Sequence, residues 1–218
     1  MKNSDLRIYL APTDFLCFNA PEILDFTTNA IGDAATATEK AVRLYYAVRD
    51  GWRYNPYRIS LRREDWKVTE IFKKPDGHCH DKSILLAACA RAADIPSRLH
   101  LAKVKNHIAV EQLTAKFGTN ELTPHGYTEL YLNEKWVKAT PAFNKQLCER
   151  LNVSPLDFDG KSDSFFQEYD KAGGVFMEYL EDYGTFADVP LDFMIDIMRT
   201  NYPKFAHLAG TETVVDFS

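Results

Sequence analysis

Apolar residues recur along the chain in two periods, and these set out most of the elements. Ala41, Leu44, Tyr45 and Val48 share one face at helical spacing, which predicts an amphipathic helix over 38–50 with Gly51 as its stop. A helix over 21–32 precedes it. The clearest helix spans 79–93, with Ile84, Leu85, Ala88 and Ala92 on one side. It ends at Ile95-Pro96, because proline disfavours helix in the residue before it. The stretch 107–117 has helical spacing and stops at Gly118, and further helices are expected near 144–151 and at about 190–201. Alternation predicts strands at 97–104, 125–132 and 135–141, the last two joined by a tight Asn133-Glu134 turn. Residues 1–20 alternate loosely, like a strand or arm, 52–67 read as loop and short strand, and a hairpin is expected across Lys171–Gly174.

Composition narrows the class. The chain has 218 residues, 45% hydrophobic and 26% charged, values of a globular protein with a real core. A single domain is expected, with a core over about 38–145, an N-terminal arm and helix over 1–37, and a C-terminal hairpin and helix over 146–218. The formal charge of −5 argues against a nucleic-acid partner. No apolar run approaches the roughly 18 residues of a membrane span, so no membrane partner is expected. The opening MKNSDLRIYLAPTDF is polar where a signal peptide is apolar, which points to a cytoplasmic location. In that compartment Cys17, Cys79, Cys89 and Cys148 are expected as thiols. From Glu149 onward there are 14 acidic and 5 basic residues, read as solvated surface and caps or, more sharply, as a rim that repels anions.

The candidate chemistry lies in residues 75–100, PDGHCHDKSILLAACARAADIPSRLH. A glycine turn delivers Cys79 to the first turn of the 79–93 helix. Unpaired backbone N–H groups and the helix dipole favour negative charge there, which tends to lower a thiol pKa and to supply part of an oxyanion hole. Cys89, deep in the same helix, reads as an inert core thiol. Asp81 in the first turn complements the dipole whatever the function.

A thiolate nucleophile wants an imidazole. His125 opens one arm of the expected hairpin. With a two-residue turn, position 125 faces 142, and 140 lies diagonally on the same face. Thr140 therefore takes the orienting place beside His125. His78 and His80 flank Cys79 and are expected to line the cleft. On an extended segment alternation turns them one way and Cys79 the other, and on a helix start they splay around the axis. No CxxC or HxxxH motif supports a zinc site, so no metal is expected, and a thiol/imidazole metal site of His78, Cys79 and His80 with His107 or His125 as fourth ligand is kept as a third reading. Trp52 and Tyr54, in the aromatic and basic stretch 52–67, suggest a cleft wall or core edge.

This order resembles the transglutaminase-like superfamily: Gly-x-Cys at a helix start, Ile-Pro-x-Arg at 95–98, a strand with His125, and a strand with Trp136 leading to Pro141. The segment YYAVRDGWRYNPY is similar to that family's helix leading into an arginine-tyrosine stretch, and VKNH, KWVKATPAFN, PLDFDG and MEYL are similar to a bacterial branch of it. The resemblance covers roughly 30–205. It implies an α+β, papain-like transglutaminase core, with a helical lobe carrying the cysteine packed on an antiparallel sheet. It implies Cys79 as nucleophile and His125 as general base. Thr140 falls where most of the superfamily has aspartate, which removes a charge from the base, and Asn144, Asp157 and Asp159 are the candidate substitutes.

The expected function is thiol-dependent acyl transfer on an amide, foremost cysteine-type hydrolysis of a peptide or isopeptide bond through a thioester, with transamidation sharing every step but the last. The alternative is a catalytically weakened fold that binds a peptide or protein. No organic cofactor is implied, and there is no EF-hand-like loop. Oligomeric state leaves no signal in the sequence.

Overall fold

The computed structural model describes residues 3–165, 171–206 and 214–216. Asn3–Tyr9 form a 3-10 helix rather than the strand or arm their alternation suggests. Their alternate residues share no buried face, since Ile8 is exposed, while Tyr9 packs edge-on to Trp136 at 4.9 Å. Helix α1 (Pro21–Ile31) starts on proline, whose fixed φ suits a first helical position. Helix α2 (Ala37–Gly51) starts on a capping box between Thr36 and Glu39 and runs through Gly51, which is its last residue rather than its stop. Strands β1 (Arg53–Tyr54) and β2 (Arg58–Ser60) follow, then helix α3 (Val68–Phe72), which the sequence reading did not include. Strand β3 (Asp76–Gly77) runs parallel to β1 and leads into helix α4 (Cys79–Ala92).

The remaining elements are β4 (Ser97–Asn106), α5 (Val110–Phe117), β5 (Glu121–Leu132), β6 (Lys135–Ala139), α6 (Lys145–Leu151), β7 (Met177–Phe186), α7 (Leu191–Asn201), α8 (Pro203–Ala206) and β8 (Val214–Asp216). The main sheet has the order β6-β5-β4-β7 and is antiparallel throughout. The β5–β6 hairpin keeps the expected register, Leu132 opposite Lys135 and Thr128 opposite Ala139. Asn133 and Glu134 both have positive φ, the mirror-image turn that matches strand twist. Two boundaries move. Strand β5 begins at Glu121, so His125 lies inside it, paired with Ala102 of β4, rather than opening it. Strand β6 ends at Ala139, so Thr140 lies just beyond it. The arm preceding Lys171 in the expected hairpin lies outside the described residues. The strand that follows, β7, pairs with β4.

Helix α4 is the axis of the molecule. Every residue from Cys79 to Arg91 is buried, so it is apolar all round except where a polar group has a partner inside. Ser83 donates to the Gly126 carbonyl at 3.0 Å and accepts, through its own carbonyl, from Thr128 Oγ1 at 2.9 Å, which seats α4 on β5. Gly126 is required at that contact, because a Cβ there would lie 2.6 Å from Cδ2 of His80. Lys82 reaches the other way. Its ammonium donates to the carbonyls of Arg49, Trp52 and Ala142 at 2.7–2.8 Å, tying the end of α2 to the chain after β6. Helices α1 and α2 cover the rest of α4 with Ile23, Leu44, Tyr45 and Val48. Among the described residues no helix is long and apolar enough to cross a membrane.

Candidate active site

Cys79 occupies the first helical position of α4. The cap is His78, in extended conformation, whose Nδ1 accepts from the Asp81 N–H at 3.3 Å. Asp81 Oδ2 accepts from the His78 N–H at 3.2 Å in return. Asp81 is thus half of a capping box, and Lys74 also donates to it at 3.1 Å. His-x-x-Asp is a capping pattern that the sequence reading did not recognise.

The Cys79 side chain is buried, at 7% exposure. The backbone amides of Gly126, His80 and Cys79 itself favour a thiolate. Burial is the larger effect and pushes the thiol up to about 12. The lowered pKa expected from the helix start alone is therefore not what the folded chain has: desolvation outweighs the dipole. Cys89 is likewise pushed up to about 12 by burial, as fits a core thiol.

Two imidazoles converge on this point, and His125, on the adjoining strand β5, lines a separate cavity. His80 places Nδ1 at 3.5 Å from the Cys79 sulfur. One ring nitrogen each of His78 and His80 and that sulfur all lie within 4.8 Å of one another, because the chain turns from extended to helical between His78 and Cys79. The expected divergence of the trio is thus corrected to convergence. Trp66, in the aromatic and basic stretch 52–67, packs on His78 at 5.4 Å and on His80 at 5.7 Å. Burial lowers the pKa of His78 against the pull of Asp81, and lowers His80 well below the usual histidine range, helped by the other two rings. His125 is brought down to about 4 by burial alone. Burial thus favours the neutral form of all three rings.

His125 and Thr140 do come together, lining one cavity of about 10 Å³ with Ala142, Phe143 and Met177. Those three residues also pack in the cluster that holds Cys79. The hydrogen bond expected between His125 and Thr140 is not formed. The Thr140 hydroxyl donates to the Phe165 carbonyl, and buried Nδ1 of His125 has no partner among the described residues. None of the substitutes fills the place. Asn144 accepts from the Tyr54 N–H at 3.0 Å and donates to Gln146 at 2.9 Å. Asp157 is exposed and lies 3.6 Å from Arg49, and Asp159 caps the exposed turn at Lys161 and Ser162. No carboxylate orients the His125 ring among the described residues.

The cavity at the sulfur is small and apolar, about 40 Å³, walled by Tyr54, Phe117, Pro124 and Tyr202 beside Cys79 and the two flanking histidines. Tyr54 is a wall residue, positioned through its backbone by Asn144. Trp52 is not. It packs in the main core against Phe26 at 5.3 Å and Phe72 at 5.6 Å. Tyr202, contributed by the C-terminal end of α7, accepts from the Thr123 N–H at 2.6 Å. Sequence reasoning had no signal for it, since it lies about 120 residues from the cysteine it covers. Of the other histidines, His100 joins Glu129 and Asp182, His107 pairs with Glu178, and His207 lies outside the described residues.

The model of the Transglutaminase-like superfamily matches residues 25–141. No curated protein matches the chain. Among solved structures, a crystal structure from Cytophaga hutchinsonii, described as that of a candidate cysteine protease, aligns over 88% of this chain and 50% of its own, with a TM-score of 0.55 at 13% identity. This chain thus spans half the length of that protein, and the likeness is one of fold.

Proposed function

The chain belongs to the transglutaminase-like superfamily, and we propose that within it the chain performs thiol-dependent acyl transfer, with Cys79 as nucleophile and His125 as base. The observation that carries this is the meeting of helix and strand: Ser83 of α4 donates to the carbonyl of Gly126, the residue after His125, and a Cβ at Gly126 would lie 2.6 Å from the His80 ring, so the His125 strand lies directly against the start of α4. Cys79 attacks an amide carbonyl, its S–H proton passes to neutral His125, and the oxyanion is held by the N–H groups of Gly126 and His80. Collapse breaks the C–N bond, His125 returns the proton to the leaving amine, and the thioester is resolved by water or by a second amine. Hydrolysis of a peptide or isopeptide bond is the favoured outcome. His125 Nδ1 is free to accept that proton, because no hydrogen bond among the described residues engages it. His80 holds the thiol in place from 3.5 Å.

The nucleophile starts as a neutral thiol, so proton transfer accompanies attack rather than preceding it. This predicts a slow enzyme, selective for activated or long-resident acyl groups. The apolar walls favour a neutral, apolar acyl side chain.

The test is intact-mass and peptide mapping after incubation with p-nitrophenyl esters and p-nitroanilides of apolar acids. An acyl adduct on Cys79, absent in Cys79→Ser, is the expected result. No adduct and no turnover from the folded protein overturns it. One observation favours a second reading, a peptide- or protein-binding module: no carboxylate among the described residues reaches His125. Peptide binding without any adduct would select that reading.

A further inference from the structure

We propose that His78, Cys79 and His80 form a three-ligand site for a divalent transition-metal ion of zinc type, with the fourth position open to an exogenous ligand. The site shares Cys79 with the acyl-transfer reading but does not rest on it.

The geometry comes first. Zinc takes thiolate at about 2.3 Å and imidazole nitrogen at about 2.0–2.1 Å in tetrahedral array. Those bond lengths place a sulfur and a nitrogen ligand about 3.5 Å apart. The Cys79 sulfur and His80 Nδ1 are 3.5 Å apart already. The third ligand atom, on His78, lies within 4.8 Å of both, so ring rotation of about an ångström completes the set.

The surroundings fit as well. Asp81 Oδ2 stands 3.4 Å from His78 Nε2, an ion-pair contact that becomes the carboxylate behind a metal-ligating histidine once the ring turns toward the metal. With Nε2–H turned to Asp81, Nδ1 is the ligand atom, and the bond it exchanges is the long 3.3 Å cap from the Asp81 N–H. His80 is more than nine-tenths buried, and its Nε2 has no partner among the described residues, so its ring is not committed to a structural hydrogen-bond pair. The donor set, one thiolate and two imidazoles, suits zinc and cobalt over calcium or magnesium. All three ligand residues line the small cavity of about 40 Å³, which leaves room for an ion beside them. A separate cavity of about 440 Å³ is lined by Asp81, behind His78, with Asp65, Glu70, Asp76 and Asp216 against Arg58 and Lys74, and gives this end of the helix a field that attracts cations.

On binding, Cys79 releases its proton to solvent and its sulfur lone pair goes to the metal, with no change of oxidation state. A metal-bound sulfur is no longer free to attack a carbonyl, so zinc also acts as a reversible block on acylation.

The test uses the full chain, stripped with chelator, then given zinc or cobalt and desalted. The expected result is one zinc retained per chain, and a thiolate-to-cobalt charge-transfer absorption that Cys79→Ser abolishes. His80→Gln is expected to weaken binding at least about 10-fold, and His107→Gln to leave it unchanged. Circular dichroism confirms that each variant is folded. Zinc lost on desalting, or retained equally by Cys79→Ser and His80→Gln, overturns the proposal. Acylation of the stripped protein is read separately: acylation without zinc retention sinks the metal site alone, and retention without acylation sinks the acyl-transfer reading alone.

Discussion

The Cys79 sulfur meets the ring of its own chain neighbour, His80, at 3.5 Å, while Nδ1 of His125 is left without a hydrogen-bond partner among the described residues. The proposed mechanism gives the two imidazoles different tasks: His80, which touches the thiol, holds it in place, and His125, on the strand that Gly126 seats against α4, takes its proton.

This division predicts different kinetics for two variants. His125→Ala removes the base and should lower the single-turnover rate of Cys79 acylation by about 10²–10⁴-fold, the usual worth of a positioned general base. His80→Ala should cost far less in rate. Gly126→Ala is the structural counterpart, because its Cβ would meet His80 at 2.6 Å and push the ring off the thiol. It should resemble His80→Ala. Stopped-flow acylation with an activated ester decides, and a larger loss in His80→Ala than in His125→Ala would reassign the base.

Restoring a carboxylate at position 140 is the converse experiment. Thr140 already lines the His125 cavity, but its hydroxyl faces the Phe165 carbonyl. Thr140→Asp should place a charge beside the ring, favour the imidazolium and speed iodoacetamide alkylation of Cys79 at neutral pH by about 10-fold or more. It should also destabilise the fold by about 1–3 kcal/mol, because a buried carboxylate is introduced and a hydrogen bond is lost. Alkylation unchanged in a folded Thr140→Asp protein would show that lack of a carboxylate is not what limits this site.

How far the sequence reaches is visible in these same residues. Helical spacing and the glycine turn place Cys79 at the start of α4, and the two-residue turn sets the register that brings His125 and Thr140 to one cavity. Local rules suffice for both. They do not reach the balance at the sulfur, because desolvation depends on Tyr54, Phe117 and Tyr202, which arrive from distant parts of the chain. Nor do they give the direction of the Thr140 hydroxyl, which follows from Phe165 passing beside β6. Trp52 shows the same limit: its aromatic run reads as cleft wall or core edge, and its position at the end of α2 turns it into the core.

Lys82 offers a test of the fold apart from the chemistry. Its ammonium is fully buried and bonded to three carbonyls. Lys82→Met keeps the length and removes the charge, but leaves three acceptors without their donor. Unsatisfied buried groups cost about 1–3 kcal/mol each, partly offset by relief of the buried charge. A net loss of about 2–4 kcal/mol in urea unfolding is expected. A neutral or stabilising result would mean that the carbonyls find other donors.

Glu129 gives the sheet a pH dependence that can be read from its partners. It accepts from His100 Nδ1 and from Arg98, both at 2.6 Å, and His100 bonds Asp182 through its other nitrogen at 2.7 Å, so one charged network crosses β5, β4 and β7. Burial pushes the Glu129 carboxyl up, but the hydrogen bonds and charges of His100 and Arg98 outweigh it and hold the carboxyl below its ordinary value. A carboxylate depressed in the folded state contributes stability that is present above the unfolded pKa and is lost as pH falls through the folded one. Glu129→Gln keeps the shape and removes the charge. It should be less stable than the natural chain by about 2–3 kcal/mol near pH 6, with the gap closing as pH falls below about 4. Urea midpoints measured across that range check the sign. A gap that stays constant with pH would show that the Glu129 charge takes no part in holding the three strands together.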